Sequence, residues 1–581
     1  MTGAGMQAWI LPLIPAVPLV MACGLLIWPR QRFLIAFAPW AALSGLICSV
    51  AVTPSLALDL PWLLLGARLG IDQTAQVFLA FTSLLWLTAG VFATGSLKDD
   101  ENKTRFFIFF LLAMAGNLGL VVAQDMLSFY VFFALMSFSS YGLIVHSRTA
   151  EAQRAGRVYI IMVVAGELLL FAALVMAAQA AGSVLFADVR PTLANAPTQN
   201  WIVVLALTGF GIKLGVLGLH VWLPLAHPVA PTPASAVLSG AMIKAGLLGW
   251  LKLLPLGADT MPIEWSVLLM GVGVLAVFYA AVVGVTQQNP KTVLAYSSVS
   301  QMGLVTVAVG LGIALPQRWP EILATILFLA LHHALAKSAL FLGVGVARSH
   351  LTTKWHRWCV ALGLVLPALA LAGAPFTGGS LVKELLGAEA GFLLAPWSNT
   401  LKLLLSWSVV ATVLLMARFL YLTWPRAAAA DTPATYSMSI PWAVLIATLL
   451  LAPFYAGPDS ADLVWSLSTV LSSLSTLALA IAGTVVGAWI FAKISRHRLP
   501  LPPAGDLVVV AEWATCFVLK AVDHAVRHLD RRQRRGATQI KAGWARLRWP
   551  LAFDYAMDLA WSTASLLFLL MGLVFILAIA I

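Results

Sequence analysis

Charge is what this chain lacks most. Only 10% of its 581 residues are charged, against about 25% in an ordinary soluble domain. That scarcity excludes a soluble globular fold, because most of the chain has no polar face to turn to water. Cysteine is nearly absent too. Cys23, Cys48, Cys359 and Cys516 are scattered with no CxxC spacing, so neither an iron–sulfur cluster nor a zinc site is signalled. No cofactor and no metal are expected, and any redox chemistry must occur in another chain. A folded basic domain is also missing, so the net charge of +12 does not point to nucleic acid. The first apolar stretch has no basic leader and no small-residue cleavage site, and it reads as a retained helix.

What fills the sequence is hydrophobic residues, 61% of the total. They fall into runs of about 20, each long enough to cross a ~30 Å hydrocarbon core as a helix, whereas a strand barrel would show weak alternation. Sixteen spans are predicted, near 8–28, 33–54, 74–96, 106–124, 127–146, 158–181, 201–224, 232–256, 265–285, 291–314, 322–346, 357–387, 401–424, 441–456, 467–493 and 558–580. The fold class is therefore an all-α polytopic membrane protein. Its 22 tryptophans read mostly as interface anchors and bulk core.

Lys and Arg gather in short loops on the cytoplasmic side of a membrane. With the N-terminus outside, the inner loops carry Arg30 and Arg32, Lys98, Lys103 and Arg105, Arg148, Arg154 and Arg157, Lys291, then Arg348, Lys354 and Arg357, and finally a basic stretch over 493–548. The outer loops carry Asp59, Asp188, Asp259, Glu264, Asp459 and Asp462 instead. Within 495–555 apolar residues Val518, Leu519, Val522, Val526 and Leu529 alternate at helical spacing with Lys520, Arg527, Arg531 and Arg532. Such a segment lies along the membrane interface or along neighbouring subunits, and a last span after it would make it a strap anchored at both ends.

Two spans share an oddity. "GFGIKLGVLG" in the seventh and "GAPFTGGSLVKELL" in the twelfth each combine a lysine with helix-breaking residues. Interrupted helices at matching places point to repeated units with an ion site at mid-membrane. The expected division is 1–105 for three leading helices, 106–256 and 257–425 for two inverted five-helix repeats, 426–494 for two more helices, 495–555 for the amphipathic segment and 556–581 for the final helix.

Ionisable residues inside the spans recur in series: Glu167 in the sixth, Lys213 and His220 in the seventh, Lys244 in the eighth, His332, His333 and Lys337 in the eleventh, and Lys383 with Glu384 in the twelfth. A cation at the bilayer centre costs about 2.5–3.5 kcal/mol on insertion scales, so such groups are rare and usually line a polar interior. Any one of them read alone suits a structural ion pair; the series suits a conduit. Lys213 and His220 are seven residues apart, ~10 Å along one helical face, too far for a direct hydrogen bond but within reach of one or two waters. Histidine titrates near neutrality, and desolvation brings a lysine toward it, so both side chains suit proton exchange. Tyr296, Ser297, Ser298, Ser300 and Gln301 in "LAYSSVSQMG" suit interhelical packing and water-wire duty equally.

At these residues the sequence resembles a known family. "KLGVLGLHVWLPLAHPVAPTPASAVLSGAMIKAG", "NPKTVLAYSSVSQMG", "HALAKSALFLGVG" and "GAPFTGGSLVKELL" are similar to the antiporter-like proton-channel subunits of respiratory complex I, the Mrp cation/proton antiporters and the membrane-bound hydrogenases. The likeness runs from about residue 70 to 425, and sixteen spans with a basic lateral stretch resemble the complex I L-type subunit and hydrogenase-4 component B. It implies that Lys213 is the central lysine of a broken seventh helix, Lys244 the connecting lysine of the eighth, His333 and Lys337 the pair of the eleventh, and Lys383 the exit-side lysine of a broken twelfth. It also implies that 495–555 braces neighbouring subunits.

The chain departs from the pattern in one respect. Relatives usually carry a helix-five glutamate in a pattern like F-W-E-L-M-S, but here "VFFALMSFSS" puts Ala134 at that position. Alanine cannot tune a lysine, and Glu167 on the next helix is the obvious substitute. The expected function is a proton-translocating subunit, without a redox centre of its own, of a complex I-like or hydrogenase-like assembly in a bacterial or archaeal cytoplasmic membrane. Its expected partners are other membrane subunits, a soluble redox or other enzyme module, and the bilayer. Two rivals stay open: a Mrp-type sodium/proton antiporter subunit, and a membrane scaffold for a soluble enzyme.

Overall fold

A computed structural model describes residues 8–64, 66–349, 353–425, 435–455, 466–496 and 503–505, with side chains to residue 487 in the last long helix. Thirteen helices among them are long and apolar enough to cross a membrane, and Leu13–Ile27 and Gln199–Leu214 are shorter apolar helices. The expected sixteenth span at 558–580 and the basic segment at 495–555 fall almost wholly outside the described residues.

The first helices are α1 (Leu13–Ile27), α2 (Arg32–Phe37) and α3 (Leu43–Ala51), the last two joined by a 3₁₀ turn. A short antiparallel hairpin follows, β1 (Ala57–Leu60) on β2 (Ala67–Gly70), with Ala57 opposite Gly70 and Leu60 opposite Ala67. Next come α4 (Gln73–Ser96), α5 (Lys103–Val122), α6 (Met126–Ile144) and α7 (Ala150–Ala181). Asp72, Asp125 and Thr149 cap three of these by accepting from Ala75, Ser128 and Ala152 N–H, filling donors that a helix start leaves unpaired. Between α4 and α5 the loop is pinned by Asp100, whose carboxylate lies 2.9 Å from Nε2 of His146. Burial pushes the Asp100 carboxyl up, but hydrogen bonds from His146 and the Asn102 N–H, with the nearby Arg105 charge, outweigh it and hold it below its ordinary value.

After the surface helix α8 (Phe186–Leu193), the predicted seventh span is broken into α9 (Gln199–Leu214) and α10 (Trp222–Val229). Gly215 (φ +81°) and Gly218 (φ +87°) make the break, in a backbone region that side chains disfavour. The next span starts as α11 (Thr232–Val237), passes through a π turn at Leu238–Met242 and continues as α12 (Lys244–Leu253). Then come α13 (Ile263–Thr286), α14 (Pro290–Ala314) and α15 (Trp319–Ala347). The predicted twelfth span is also broken, into α16 (Lys354–Ala372) and α17 (Gly378–Ala390), around Gly373 at φ +81° and Phe376 at φ +63°. The described helices end with α18 (Trp397–Thr423), α19 (Tyr436–Tyr455) and α20 (Leu467–Arg496).

The core lies around α11, α12, α14 and α15. The most apolar stretch of Thr232–Leu253 is 100% buried and that of Pro290–Ala314 is 94% buried, against 6% for Leu467–Gly487. Glycine allows this density. A Cβ on Gly246 of α12 would run into the carbonyl oxygen of Phe210 and come 2.9 Å from the amide nitrogen of Leu214, both backbone atoms of α9. Gly246→Ala is therefore expected to destabilise the purified protein by roughly 1–3 kcal/mol. Thermal unfolding followed in detergent reads this directly, and an unchanged midpoint would refute the close packing of α9 on α12.

Candidate functional site

Lys213 sits in the last turn of α9 and is 3% exposed. There the free carbonyls of a helix C-terminus favour a cation. Trp222 Nε1 donates to the Ile212 carbonyl at 2.8 Å and satisfies one of those groups. The ammonium donates to Ser137 Oγ of α6 and to Tyr159 OH of α7, each at 3.2 Å. It also lies 5.9 and 5.6 Å from the ring centres of Phe133 and Tyr159, a cation–π arrangement. Glu167 of α7 lines the same small cavity, which has room for about one water. Neither carboxylate oxygen of Glu167 has a hydrogen-bond partner of normal geometry. Lys213 and Glu167 are close enough for their charges to interact.

His220 does not share a helical face with Lys213. The glycine break intervenes, and the two side chains turn to different helices. Nδ1 of His220 accepts the Gly218 N–H at 3.2 Å, and its ring packs edge-on to Tyr279 of α13 and Tyr296 of α14, with ring centres 5.6 and 6.3 Å away. The expected ~10 Å spacing along one continuous helix is thus replaced by a turn that carries His220 toward the second half of the bundle.

The central cluster is the best connected. Lys244, fully buried, donates to the Ser239 carbonyl at 2.6 Å and lies 2.7 Å from Nδ1 of His333. The π turn just before Lys244 shifts the local backbone hydrogen-bonding pattern around Ser239, as π turns do at many functional sites. Lys337, one turn after His333 on α15, donates to the Leu294 carbonyl of α14 at 2.8 Å. That same carbonyl accepts from Ser298 Oγ at 3.1 Å, and Ser298 Oγ is 2.8 Å from Ser239 Oγ. Lys244 and Lys337 thus bind the backbone carbonyls of Ser239 and Leu294, and the hydrogen-bonded Ser239 and Ser298 hydroxyls lie between those two residues. The sequence alone singled out Ser298 without its partner, and Ser239 not at all; its place at i−5 from Lys244 beside a lysine-bearing helix was the available signal.

His332 and His333 are adjacent in sequence and separate in space. His333 faces Lys244, while Nε2 of His332 lies 3.2 Å from the Ala370 carbonyl at the end of α16. Nδ1 of His332 faces the start of α17, where a Cβ on Gly378 would approach it to 2.7 Å. Lys383 of α17 donates to the Ala372 carbonyl in the break between α16 and α17. Lys383 and Glu384 are half-buried and line an open cleft of about 330 Å³ together with Lys402, Ser406, Ser472 and Thr476. None of Lys213, Lys244, Lys337 and Lys383 is salt-bridged to a carboxylate among the described residues.

Two further lysines are buried, one of them read from the sequence as a loop residue. Lys291, in the first turn of α14, is 4% exposed and donates to the Ala230 carbonyl at 2.7 Å. Lys252, near the end of α12, donates to the Ala123 carbonyl at 2.7 Å and lies 5.7 Å from the Phe186 ring centre.

This is a multi-pass helical membrane protein whose centre holds two interrupted helices and a row of buried lysines and histidines. The family described as NADH:quinone oxidoreductase/Mrp antiporter, TM, matches residues 123–414, just over half of the chain, and the protein belongs to it. Among its relatives, the putative antiporter subunit mnhA2 of Staphylococcus saprophyticus is 30% identical over 354 residues, which span 57% of this chain and 44% of the relative. Hydrogenase-4 component B of Escherichia coli K12 is 28% identical over 313 residues, spanning 52% of this chain and 47% of the relative. The chain thus spans about half the length of the curated relatives it matches. Two solved structures share the fold. A chain of the Mrp complex from Dietzia sp. DQ12-45-1b superposes with a TM-score of 0.74 at 22% identity, over 96% of this chain and 63% of that one. A chain of the membrane-bound sulfane sulfur reductase, an archaeal respiratory complex, gives 0.63 at 19% identity, over 82% and 99%.

Proposed function

We propose that this chain is the proton-translocating, antiporter-like subunit of a multi-subunit complex in a bacterial or archaeal cytoplasmic membrane, working beside other membrane subunits and driven by a separate enzyme module. Protons enter from the cytoplasmic side and are held on Lys213. They then pass laterally through Lys244, His333 and Lys337 and leave past His332, Lys383 and Glu384, with His220 lying between the two halves and Glu167 modulating Lys213.

The observation that carries this reading is the clustering of Lys244, His333 and Lys337 about the hydrogen-bonded Ser239 and Ser298 hydroxyls, with His333 Nδ1 2.7 Å from Lys244. Carbonyl, hydroxyl and imidazole partners leave the amines free to lose and regain protons. Water and hydroxyl groups within hydrogen-bonding reach are the ordinary carriers between such sites.

The intact assembly, purified with its companion chains identified and reconstituted into vesicles, is expected to take up protons without sodium under an imposed potassium diffusion potential. A pH-sensitive dye inside the vesicles reads the flux. Transport that requires sodium would favour the Mrp-type reading, and assembly without any proton flux would favour a scaffold. Ala134 supports the scaffold reading, because this buried position on α6 carries no acid.

A further inference from the structure

Ser137 is a buried hydroxyl to which the path above gives no role. It is 1% exposed and stands one turn after Ala134 on the same face of α6. A serine inside a helix commonly gives its proton to the carbonyl one turn back. Ser140 does so, donating to the Met136 carbonyl at 2.6 Å. Ser137 makes no such bond among the described residues. Its Oγ accepts from Lys213 Nζ at 3.2 Å, so its own proton is available to a second partner.

That second partner is Glu167. Ser137, Glu167, Lys213 and Tyr159 all line the one small cavity between α6, α7 and α9, which has room for about one water. Ser137 is the hydroxyl turned toward the Glu167 carboxylate. Tyr159 OH, the other oxygen that accepts from Lys213, is already committed. It donates to the Ser137 backbone carbonyl at 2.8 Å, and its ring packs edge-on against Trp222 with centres 5.1 Å apart. Of the two hydroxyls on the amine, one is fixed by a carbonyl and the other is open toward an acid.

We propose that the Ser137 hydroxyl carries the proton between Glu167 and Lys213, so that Glu167 loads the lysine as well as shaping its electrostatic surroundings. The proposal rests on the conduction reading above and deepens it by naming how Lys213 is filled. In the loading step the protonated carboxyl of Glu167 passes its proton to Ser137 Oγ, directly or through the one water that the cavity admits. Ser137 passes its own proton to the unprotonated Lys213 amine at the same time. One carboxyl O–H bond breaks, one N–H bond forms, and the serine ends as the neutral hydroxyl it was at the start. The products are a carboxylate and an ammonium in one cavity, where opposite charges attract. Helix α6 thereby supplies a carrier one turn from the position where it holds alanine in place of an acid.

The test uses the full chain in its native assembly, in vesicles, under the same imposed potential. Ser137→Ala keeps the helix and puts a methyl group where the hydroxyl stood. It is expected to slow proton uptake by roughly tenfold or more, and to raise the solvent isotope effect in heavy water as this transfer becomes limiting. Tyr159→Phe withdraws an acceptor from Lys213 but no carrier, and its loss is expected to be several-fold smaller. Equal losses in the two variants, or an isotope effect unchanged in Ser137→Ala, overturn the proposal, because weakened seating of the lysine would then account for both. A parental rate in Ser137→Ala overturns it outright. Should that variant fail to assemble, Ser137→Cys decides. A thiol is a weak donor and a weak acceptor, so slowed uptake is expected and a parental rate overturns the proposal equally. An absence of flux in the parent assembly would instead strike the conduction reading itself.

Discussion

Glu167→Gln is expected to bring proton uptake by the reconstituted assembly down to the level of Lys213→Ala. The two side chains share one small cavity, and Glu167 is the acid acting on Lys213. Glutamine fills the same volume and removes only the charge, so the packing around Met162, Val163 and Trp222 should survive. Ser137 is the neighbour that reaches the Glu167 carboxylate, and its hydroxyl can donate to an amide oxygen as it does to a carboxylate. A neighbouring charge that moves an ammonium by one pH unit changes its protonation equilibrium tenfold, about 1.4 kcal/mol, and a loss of flux of about that size or more is expected. Dye-reported uptake with equal amounts of incorporated protein makes the comparison. Full activity in Glu167→Gln would remove Glu167 from the path and leave the alanine at position 134 uncompensated.

A second large loss is expected from Lys244→Met. Methionine occupies a similar length of apolar stem but leaves the Ser239 carbonyl and Nδ1 of His333 without their shared donor. Lateral passage between the two halves then lacks its central amine, and uptake should fall to background. Each unsatisfied buried group also costs roughly 1–3 kcal/mol, so the variant's assembly must be checked by size-exclusion chromatography. Ser298→Ala separates the two effects, since it breaks the serine bridge and keeps the lysine. Partial flux there, with none in Lys244→Met, fits the proposed order. Flux near the parental rate in Lys244→Met would dismantle it.

Much of the architecture is legible in the sequence. Runs of about twenty apolar residues mark spans because backbone polar groups inside lipid must pair within a helix. Lysine beside glycine marked both interrupted spans, and the breaks fall there, at Gly215 and Gly373. The finer site was harder to read, for reasons that are physical. Spacing along a helix assumes that the helix continues, so it put His220 on the face of Lys213. The left-handed glycines instead turn it toward Tyr279 and Tyr296. His332 and His333 stand side by side in the series of ionisable residues, yet about 100° of helical rotation sends His333 to Lys244 and His332 to Ala370. Lys291 read as a loop cation because its partner is the Ala230 carbonyl, and Ser239 as nothing in particular because it is its own carbonyl that Lys244 binds; any residue could supply either group. Tertiary contact alone shows which carbonyl is meant.

The π turn at Leu238–Met242 has one more consequence. It leaves the Ser239 carbonyl positioned as a socket for an amine, and a carbonyl accepts a hydrogen bond from a neutral amine as it does from an ammonium. A lysine clamped by an acid would lose its partner's attraction whenever its proton left, and the helices would have to resettle on every turnover. On the proposed path Lys244 would keep the same acceptor whether or not it carries its proton, so the carbonyl would serve as a fixed bearing for the amine.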